Sequence, residues 1–280
     1  MIELSVIIVS RNVSPLLDRC LISVKKQELW ARRSMEILVV DNASHDGSPA
    51  MVKRKHPQVR LITNAENRGF AAAANQGLTL ARGKFLAVLN SDTEVSAGAF
   101  DILVDYARRN PHAGIIGPQV LGLDGSIQPT RRDLPNFTNI LFARKSPLHR
   151  FLPSHPLARR YLMADGDPGQ IQQVPALAGV CLLLSRVLWD RIGGFDEGFF
   201  MYLEDIDLCL RAWQAGWTVD YVPQARVRHW WGASACQERR AMEQRHRRSL
   251  YRYFLKHHQP NTFQRLYLYL ALTVHWLLGG

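Results

Sequence analysis

Short apolar runs alternate with helix-forming stretches through the first half of the chain. The apolar runs are LSVIIVS (4–10), EILVVDN (36–42), VRLITN (59–64), KFLAVLN (84–90) and GIIGPQVL (114–121), and the helical stretches are 14–26, SPAMVKRKH (48–56), FAAAANQGLTLA (70–81) and 96–109. The first run has no polar alternation, which is typical of a strand buried on both faces. Strands that alternate with helices predict βαβ units, and therefore an α/β fold with a mostly parallel central sheet flanked by helices.

The second half of the chain has a different pattern. Residues 122–173 are rich in Pro, Arg and Asp with weak periodicity, and they predict a long loop region. A buried strand is predicted over 174–185, followed by a short helix, an acidic helix within 199–213 and a strand over 217–223. From Cys236 onward the sequence is helical and basic, with a break at Pro260. We therefore expect a core domain over residues 1–232 and a basic helical extension over 233–280.

Size and charge limit the classes of function. With 280 residues, 47% of them hydrophobic, the chain can bury the core of one large domain or of one domain plus an appendage. Its formal net charge is +11, and Arg and His concentrate at 131–160 and 226–258. This distribution indicates either an anionic partner, such as nucleic acid, anionic lipid headgroups or a phosphorylated substrate, or a solvated basic face.

The cysteines and the apolar segments bear on location. Cys20, Cys181, Cys209 and Cys236 are widely spaced without a CxxC pair, which is typical of reduced cysteines in an intracellular protein. The opening MIELSVIIVS lacks a basic n-region and a cleavage site, so it predicts a strand and not a signal peptide. The apolar stretch 266–278 is shorter than the roughly 20 residues that span a bilayer. We expect a cytoplasmic protein that is soluble or peripheral to the membrane.

Polar residues directly follow three of the predicted strands. They are Ser10-Arg11-Asn12, Asp41-Asn42-Ala43-Ser44 and Asn90-Ser91-Asp92. Ligands of open parallel sheets bind at the carboxyl ends of the strands, although Asn, Asp and Ser also form ordinary turns. Asp41 is either an acceptor for a nucleobase edge or a ribose hydroxyl, or a turn residue. Asp92 is a candidate ligand for Mg²⁺ or Mn²⁺ bridging two phosphates, because these cations prefer hard oxygen ligands.

Arg68 and Gly69 stand directly before the alanine-rich helical stretch. A glycine there allows close approach of the backbone, and a helix N-terminus attracts an anion. The same combination of Gly and Ala is also typical of tight helix packing. Both interpretations stay open at the level of sequence.

The acidic helix lies in FFMYLEDIDLCLRAW. On a helical wheel, Leu203, Ile206, Leu210 and Trp213 share the stripe that faces the core. Asp207 lies four residues before Arg211, which predicts an ion pair. Asp205 points elsewhere, beside the small residues at 209 and 212, and we expect space for a ligand there. A carboxylate in a half-apolar cleft is a candidate general base for a hydroxyl, whereas acids near a helix start also suit the helix dipole.

Six stretches in one order carry a family resemblance. They are VIIVSRN, VVDNASHDG, NRGFAAAANQG, LNSD, GVCLLLSR and GGFDEGFFMYLEDIDLCLRAWQAGW, within residues 3–235. Together they resemble the family-2 glycosyltransferases of bacterial cell-surface polysaccharide synthesis, and more narrowly their rhamnosyltransferase-like branch. The resemblance implies a GT-A (Rossmann-like) fold, with a nucleotide-binding half over about 1–121 and an acceptor and catalytic half over about 174–232. It also implies inverting, metal-dependent transfer from a nucleotide-diphosphate sugar, with dTDP-rhamnose favoured over UDP-hexoses, to a hydroxyl of a glycan or lipid-linked acceptor.

The resemblance also implies roles for individual residues. Asp205, next to Glu204, matches the acid that deprotonates the acceptor hydroxyl. Asp41 matches the acid that contacts the donor, and the remaining implied donor-binding residues are Ser10, Asn12, Arg68, Gly69, Asn90 and Ser91. Asp92 matches the last acid of a metal-binding DxD element whose first acid is replaced here by Asn90. His229, in RHWWGAS, matches a position that supplies a metal or phosphate contact, and a lone histidine after a strand is the alternative.

Acceptors in this branch are often lipid-linked diphosphates at the inner leaflet, which gives the basic extension a reason. Residues 263–278 are then expected to lie in the membrane interface, whereas a core-packing or dimer-forming helix is the alternative.

Two rival functions remain. A sugar-nucleotide pyrophosphorylase is disfavoured because SRNVSPLLDRC contains no glycine-rich phosphate loop. Only the net charge favours a nucleic-acid-binding module, and the sequence contains no recognition motif for one. The acids at 41, 92, 204 and 205 would also repel the phosphates of a nucleic acid. We therefore expect no nucleic-acid partner.

Overall fold

The structure is a computed structural model that describes residues 2–142, 152, 154–230 and 239–278. The predicted start of the C-terminal helices at Cys236, and part of the predicted loop region, lie outside the described residues. The strands are β1 Leu4–Ser10, β2 Met35–Asp41, β3 Arg60–Thr63, β4 Phe85–Asn90, β5 Thr93–Val95, β6 Ala113–Leu121, β7 Ile127–Gln128, β8 Arg131–Arg132, β9 Gln172–Gln173, β10 Ala176–Leu177, β11 Cys181–Ser185 and β12 Thr218–His229. The helices are α1 Ser14–Lys25, α2 Glu28–Ala31, α3 Ser48–Lys55, α4 Phe70–Leu80, α5 Ala99–Arg109, α6 Pro156–Tyr161, α7 Arg186–Ile192, α8 Glu204–Gln214, α9 Arg239–His258 and α10 Thr262–Leu278, with a 3₁₀ turn at Asn139–Phe142.

The main sheet combines a parallel half with antiparallel additions. Its order is β3-β2-β1-β4-β11-β6-β12-β5, with β7 on β6 and β9 on β12. Strands β3, β2, β1 and β4 are mutually parallel, and β11 runs antiparallel to both β4 and β6. Strand β12 runs parallel to β6. The predicted mostly parallel α/β sheet is therefore confirmed, and its parallel pairs come from both halves of the chain. Because β11 is reversed, its amino end lies beside the carboxyl end of β4.

Two hydrophobic clusters cover the two faces of the sheet. Along β1, Leu4, Val6 and Ile8 point into the first cluster with α1 and α5, and Ile7 points into the second with α4 and α8. Because both faces of β1 are covered, its central residues 6–9 are all apolar. The second cluster also contains residues of α9 and α10, including the fully buried Phe254 and Leu268. The C-terminal helices therefore pack on the core, and a domain boundary at 232 stays a prediction.

Most predicted elements agree with the structure to within a few residues, and three differ. The run 174–185 forms two strands, β10 and β11, separated by a turn at 178–180. Strand β12 continues past residue 223 to His229. In this extension Gln224, Arg226 and Arg228 are exposed, and the residues between them are buried. The predicted loop region contains β7, β8, β9 and α6, which are too short to produce a periodic signal.

Candidate active site

The carboxyl ends of β2, β1 and β4 lie side by side. In register, Ser10 pairs with Asp41, and Val9 pairs with Asn90. The Asn90 N–H donates to the carbonyl of Val180, just before β11, at 3.0 Å. The ends of the three parallel strands and the start of β11 therefore form one continuous edge, which we call the strand-end edge.

Two buried oxygens on this edge have unused hydrogen-bonding capacity. Asp41 is 2% exposed and accepts one bond, from the Ser44 N–H to its Oδ2 at 3.0 Å. Its Oδ1 and the Ser10 Oγ find no partner among the described residues. Buried polar atoms are almost always paired in folded proteins, so an unpaired set points to a group that arrives from outside. The pair suits the N–H of a base or the hydroxyl of a sugar.

Asn12 organises the loop that follows β1. Its φ is 54°, in the left-handed region. Its N–H donates to Ser44 Oγ at 2.9 Å, and its Oδ1 accepts from the His45 N–H at 2.8 Å. The side-chain oxygen of Asn12 is thus occupied within the protein, and the residue joins the loops that follow β1 and β2.

Asn42 holds the loop that carries Arg68 and Gly69, a role that sequence reasoning missed. Its amide accepts from the Arg68 N–H at 3.0 Å and donates to the Gly69 carbonyl at 3.0 Å. Gly69 has a φ of +82°, and a Cβ there would lie 2.5 Å from the carbonyl oxygen of Phe200. Glycine is therefore required for close approach as well as conformation. The Arg68 side chain stays exposed beside the edge.

Asp92 and His229 face each other at the end of β4. Both are buried, with Asp92 Oδ1 3.3 Å from His229 Nε2. The Nδ1 of His229 lies 3.1 Å from Gln128 Oε1, and the Asp92 carbonyl accepts from the Trp230 N–H at 3.0 Å. Ser91 is buried next to Asp92, while Asn90 is half-buried.

The described residues contain no group of three or more His, Cys, Asp or Glu that could hold a metal ion. A Mg²⁺ or Mn²⁺ site often takes only one or two ligands from the protein, and substrate phosphates and water supply the others. Asp92 and His229 fit a site of this kind.

Asp205 reaches the strand-end edge through Gly179. Its Oδ2 accepts from the Gly179 N–H at 2.7 Å, and its Oδ1 accepts from the Ile206 N–H at 2.8 Å. Gly179 precedes Val180, whose carbonyl binds Asn90. A short chain of contacts therefore connects this carboxylate to the strand ends that carry Asp41 and Asp92.

The entry to α8 is strained. Tyr202 and Leu203 both adopt left-handed conformations, with φ of 71° and 67°. Consecutive non-glycine residues in this region are costly and concentrate at functional sites. The strain lies directly before Glu204 and Asp205 and sets the direction in which they leave the backbone.

The two adjacent acids have different environments. Burial, and then the charge of Asp205, raises the pKa of Glu204 well above the usual value, and its Oε2 has no partner among the described residues. Burial also raises the pKa of Asp205, but the N–H groups of Gly179 and Ile206 and the charge of Arg132 oppose the shift. These contacts favour the ionised form of Asp205, whereas Glu204 has no such contacts at its Oε2 and retains its proton more readily. Arg132 lies on β8, inside the predicted loop region, so its proximity was not visible in the sequence.

The predicted ion pair within α8 is confirmed, and it is part of a larger group. Asp207 is fully buried, and its Oδ2 accepts from Arg211 Nε at 2.7 Å. Its Oδ1 contacts Lys256 Nζ at 2.6 Å and His257 Nε2 at 2.7 Å, both on α9. Burial alone would raise the pKa of Asp207, but the bonds from His257 and Lys256 outweigh it and lower the pKa to about 2.

One expectation for α8 is wrong. Cys209 and Ala212 do not leave space for a ligand beside Asp205, because both are fully buried in the second cluster. The Cys209 Sγ lies 4.0 Å from the Leu177 carbonyl of β10. The predicted core stripe is correct, since Leu203 and Ile206 are buried and Leu210 and Trp213 pack against the same cluster.

Comparisons with known proteins agree with this geometry. Residues 5–165 match the model described as "Glycosyl transferase family 2", and residues 167–279 match "Glycosyl transferase family group 2". The chain is 35% identical over 239 residues to the "N-acetylglucosaminyl-diphospho-decaprenol L-rhamnosyltransferase" of Mycobacterium tuberculosis, which covers 81% of this chain and 75% of that protein.

Two solved structures have a similar fold. A mannosyltransferase from Pyrobaculum calidifontis, in complex with GDP-Man and Mn²⁺, has a TM-score of 0.62 at 20% identity and covers 99% of this chain and 72% of that one. GalNAc-T7 with UDP, GalNAc and Mn²⁺ has a TM-score of 0.59 at 19% identity, covering 82% of this chain and 44% of that one. At these identities the likeness concerns the fold, and it confirms the expected GT-A architecture.

Proposed function

The chain belongs to glycosyl transferase family 2, and we propose that it moves a sugar, with inversion, from a nucleotide-diphosphate donor to a hydroxyl of a glycan or lipid-linked acceptor. The favoured donor is dTDP-rhamnose, and the favoured acceptor is a lipid-linked diphosphate sugar, because the relative from M. tuberculosis is a rhamnosyltransferase whose name specifies such an acceptor. In this proposal residues 1–121 form the donor half and residues 174–232 the acceptor half.

One observation carries the proposal. The Asp205 carboxylate is bound by two backbone N–H groups, one of them from Gly179 at the strand-end edge. These bonds favour the ionised form, which is the form a general base needs. A base is thereby held beside the strand ends that carry the donor-binding candidates.

The reaction is a single displacement. Asp205 takes the proton of the acceptor hydroxyl while the hydroxyl oxygen forms a bond to the anomeric carbon. The bond from that carbon to the diphosphate oxygen breaks, and its electron pair leaves with the diphosphate. Attack opposite the leaving group inverts the anomeric configuration, and no covalent intermediate is required.

The donor is held by residues of the strand-end edge. The unpaired Oδ1 of Asp41 accepts from the base or ribose, and the Ser10 hydroxyl either accepts from or donates to them. The exposed Arg68 offers a cation to the diphosphate, and Asn90 and Ser91 contribute polar groups at the end of β4.

Asp92 and His229 are the residues that would hold the divalent cation. When bound, Mg²⁺ or Mn²⁺ stabilises negative charge on the departing diphosphate. Both solved structures named above contain Mn²⁺. Replacement of the first DxD acid by Asn90 leaves one carboxylate at this position, so we expect a metal affinity that depends on bound nucleotide.

Location at the cytoplasmic face of the membrane is part of the proposal. None of the helices in the described part of the chain is long and apolar enough to cross a bilayer. Helix α10 exposes Phe263, Leu266, Tyr267 and Leu270 at helical spacing, whereas Leu268 and Leu272 are buried against the core. The exposed stripe suits peripheral contact with lipid.

A panel of sugar nucleotides, with and without Mn²⁺ or Mg²⁺, tests the function. We expect one donor to raise the melting temperature more in the presence of metal, and the same donor to support transfer to a lipid-linked sugar. Release of pyrophosphate from a nucleoside triphosphate and a sugar phosphate would instead indicate a nucleotidyltransferase. Retention on DNA without use of any donor would support the nucleic-acid alternative.

A further inference from the structure

A groove of about 850 Å³ lies between α9 and α10, and none of the residues given a role in the reaction above lines it. Four cations line it, namely Arg247, Arg248, Arg252 and Lys256. Its size is within the usual range for pockets that bind small molecules, roughly 300–1,000 Å³.

The charge of the groove is unbalanced. Asp196 is the only acid among the ten residues that line it. Asp196 accepts from Arg252 at 2.9 Å and from Lys256 at 2.7 Å, so part of their charge is compensated. Arg248 is exposed and contacts no acid among the described residues. A groove with this surplus of cations is complementary to a ligand that carries more than one negative charge.

The rest of the lining is aromatic and aliphatic. Tyr251, Leu255 and Leu272 contribute apolar surface, and Tyr269, which is 64% exposed, forms an edge. Tyr269 belongs to α10, the helix with the exposed apolar stripe proposed to contact lipid. The groove therefore combines a basic part with an apolar part that leads toward the proposed membrane-facing side.

The basic part is connected to the catalytic helix. Lys256 contacts both Asp196 and Asp207, and Asp207 lies two residues after the proposed base Asp205. Arg252 and Lys256 also lie over the ring of Phe199, at 5.2 and 5.7 Å from its centre. A ligand anchored by these cations lies against the segment that leads into α8.

We propose that this groove binds the diphosphate and the first prenyl units of the lipid-linked acceptor, so that the acceptor sugar points toward Asp205. The inference rests on the proposed function, since it concerns the acceptor of that reaction. It identifies an acceptor site on the C-terminal helices, separate from the donor residues of the strand-end edge.

The test compares Arg248→Glu with Arg240→Glu in the full-length chain. Both residues are exposed on α9, and only Arg248 lines the groove. Isothermal titration with farnesyl diphosphate is expected to show about tenfold weaker binding for Arg248→Glu, a loss of about 1.4 kcal/mol in binding free energy. Arg240→Glu should bind as the wild type does. Farnesol, which lacks the phosphates, should bind both variants equally. Arg248→Gln, with a melting temperature equal to the wild type, should give a smaller loss in the same direction.

Vesicles containing phosphatidylglycerol separate this site from a general basic surface. The two charge reversals could weaken vesicle binding equally and leave the binding of farnesyl diphosphate unchanged. The groove would then be only part of a basic surface that faces lipid, and the proposal would be wrong. The proposed function has a separate outcome, because failure to transfer sugar from any donor to any acceptor would contradict it whatever the groove binds.

Discussion

Glu204 and Asp205 are adjacent acids that differ in their hydrogen bonds. Asp205 accepts from two N–H groups, whereas the Oε2 of Glu204 is buried without a partner in the described part of the chain. The same burial therefore has different consequences for the two side chains. The pKa of Glu204 is raised by burial and by the charge of Asp205, whereas two N–H groups oppose the rise in the pKa of Asp205, which suits the proposed role of Asp205 as the base.

Replacement of Glu204 by Gln is expected to stabilise the protein by an amount that grows with pH. The folded chain keeps the Glu204 proton above the usual pKa of 4.5, whereas the unfolded chain releases it, so the free energy of unfolding of the wild type falls as pH rises. Glutamine does not titrate and removes that loss. Melting curves of both proteins at about pH 5 and about pH 8 should show the advantage of the variant increasing by a few degrees. An equal difference at both pH values would contradict a raised pKa.

Replacement of Gly69 by Ala tests the close approach to Phe200. A Cβ at Gly69 would meet the Phe200 carbonyl oxygen at 2.5 Å. Gly216 is a matched control, because its φ is +84° and nothing lies within 4 Å of the added atom. We expect Gly69→Ala to reduce the free energy of unfolding by about 2 kcal/mol more than Gly216→Ala, as measured by urea denaturation. Equal losses would mean that only the backbone conformation matters.

At the scale of elements, α9 holds α8 in place through Asp207. Arg211 of α8 and Lys256 and His257 of α9 all contact this fully buried carboxylate. The Ser249 hydroxyl of α9 also donates to the Met201 carbonyl at 2.8 Å, just before the strained entry to α8. The C-terminal helix thus helps to fix the segment from which Asp205 projects.

Asp207→Asn is expected to reduce the free energy of unfolding by about 3 kcal/mol at neutral pH, because it leaves neighbouring cations without their counter-charge. The pKa of Asp207 is lowered from the usual 3.8 to about 2. Its stabilising effect is therefore fully present above pH 3.8 and is lost as the pH falls through about 2. Asp105→Asn removes an exposed acid paired with Arg108 at 2.7 Å, and it should cost less than 1 kcal/mol. Urea midpoints for both variants give the comparison, and similar midpoints would show that the buried group does not hold the helices together.

Elements whose contacts depend on local spacing could be predicted from the sequence, and contacts between distant segments could not. Helix α8 was predictable because its apolar stripe and its Asp207–Arg211 pair depend only on helical spacing. The packing of Cys209 against β10 depends on a two-residue strand that has no periodic signature. The partners of Asp207 on α9 lie some fifty residues away, and no local pattern connects them. The strand-end residues were predictable because parallel strands bring their carboxyl ends to one edge, whereas the part played by Gly179 depends on the reversed β11.

At the scale of the whole molecule, the reversed β11 and the C-terminal helices contribute to the proposed arrangement of donor and acceptor. The donor candidates lie on the ends of parallel strands, and the proposed base reaches them through the turn before β11. Helices α9 and α10 pack on the same core and expose a basic groove and an apolar stripe. In the proposed mechanism the nucleotide-sugar donor binds at the strand-end edge, and the lipid-linked acceptor binds at the C-terminal helices.

The combined substitution of Phe263, Leu266 and Leu270 by Ser tests the membrane contact without removing the buried face of α10. These side chains are 85%, 57% and 53% exposed, so the melting temperature should stay close to that of the wild type. We expect a severalfold lower fraction of protein that pellets with anionic vesicles. Substitution of the exposed Leu123 and Val187 by Ser is the control and should leave pelleting unchanged. Wild-type pelleting of the α10 variant would contradict the proposed contact, whereas transfer to a water-soluble acceptor should be retained.

The most direct measurement of the central claim is sugar transfer by Asp205→Asn, beside the melting shift that the donor produces. The account predicts transfer at least about a hundredfold slower than in the wild type, with the donor-induced shift retained. Asp41→Asn, at the other end of the strand-end edge, should lose most of that shift. Transfer at the wild-type rate by Asp205→Asn would contradict the account, because the base would then lie elsewhere.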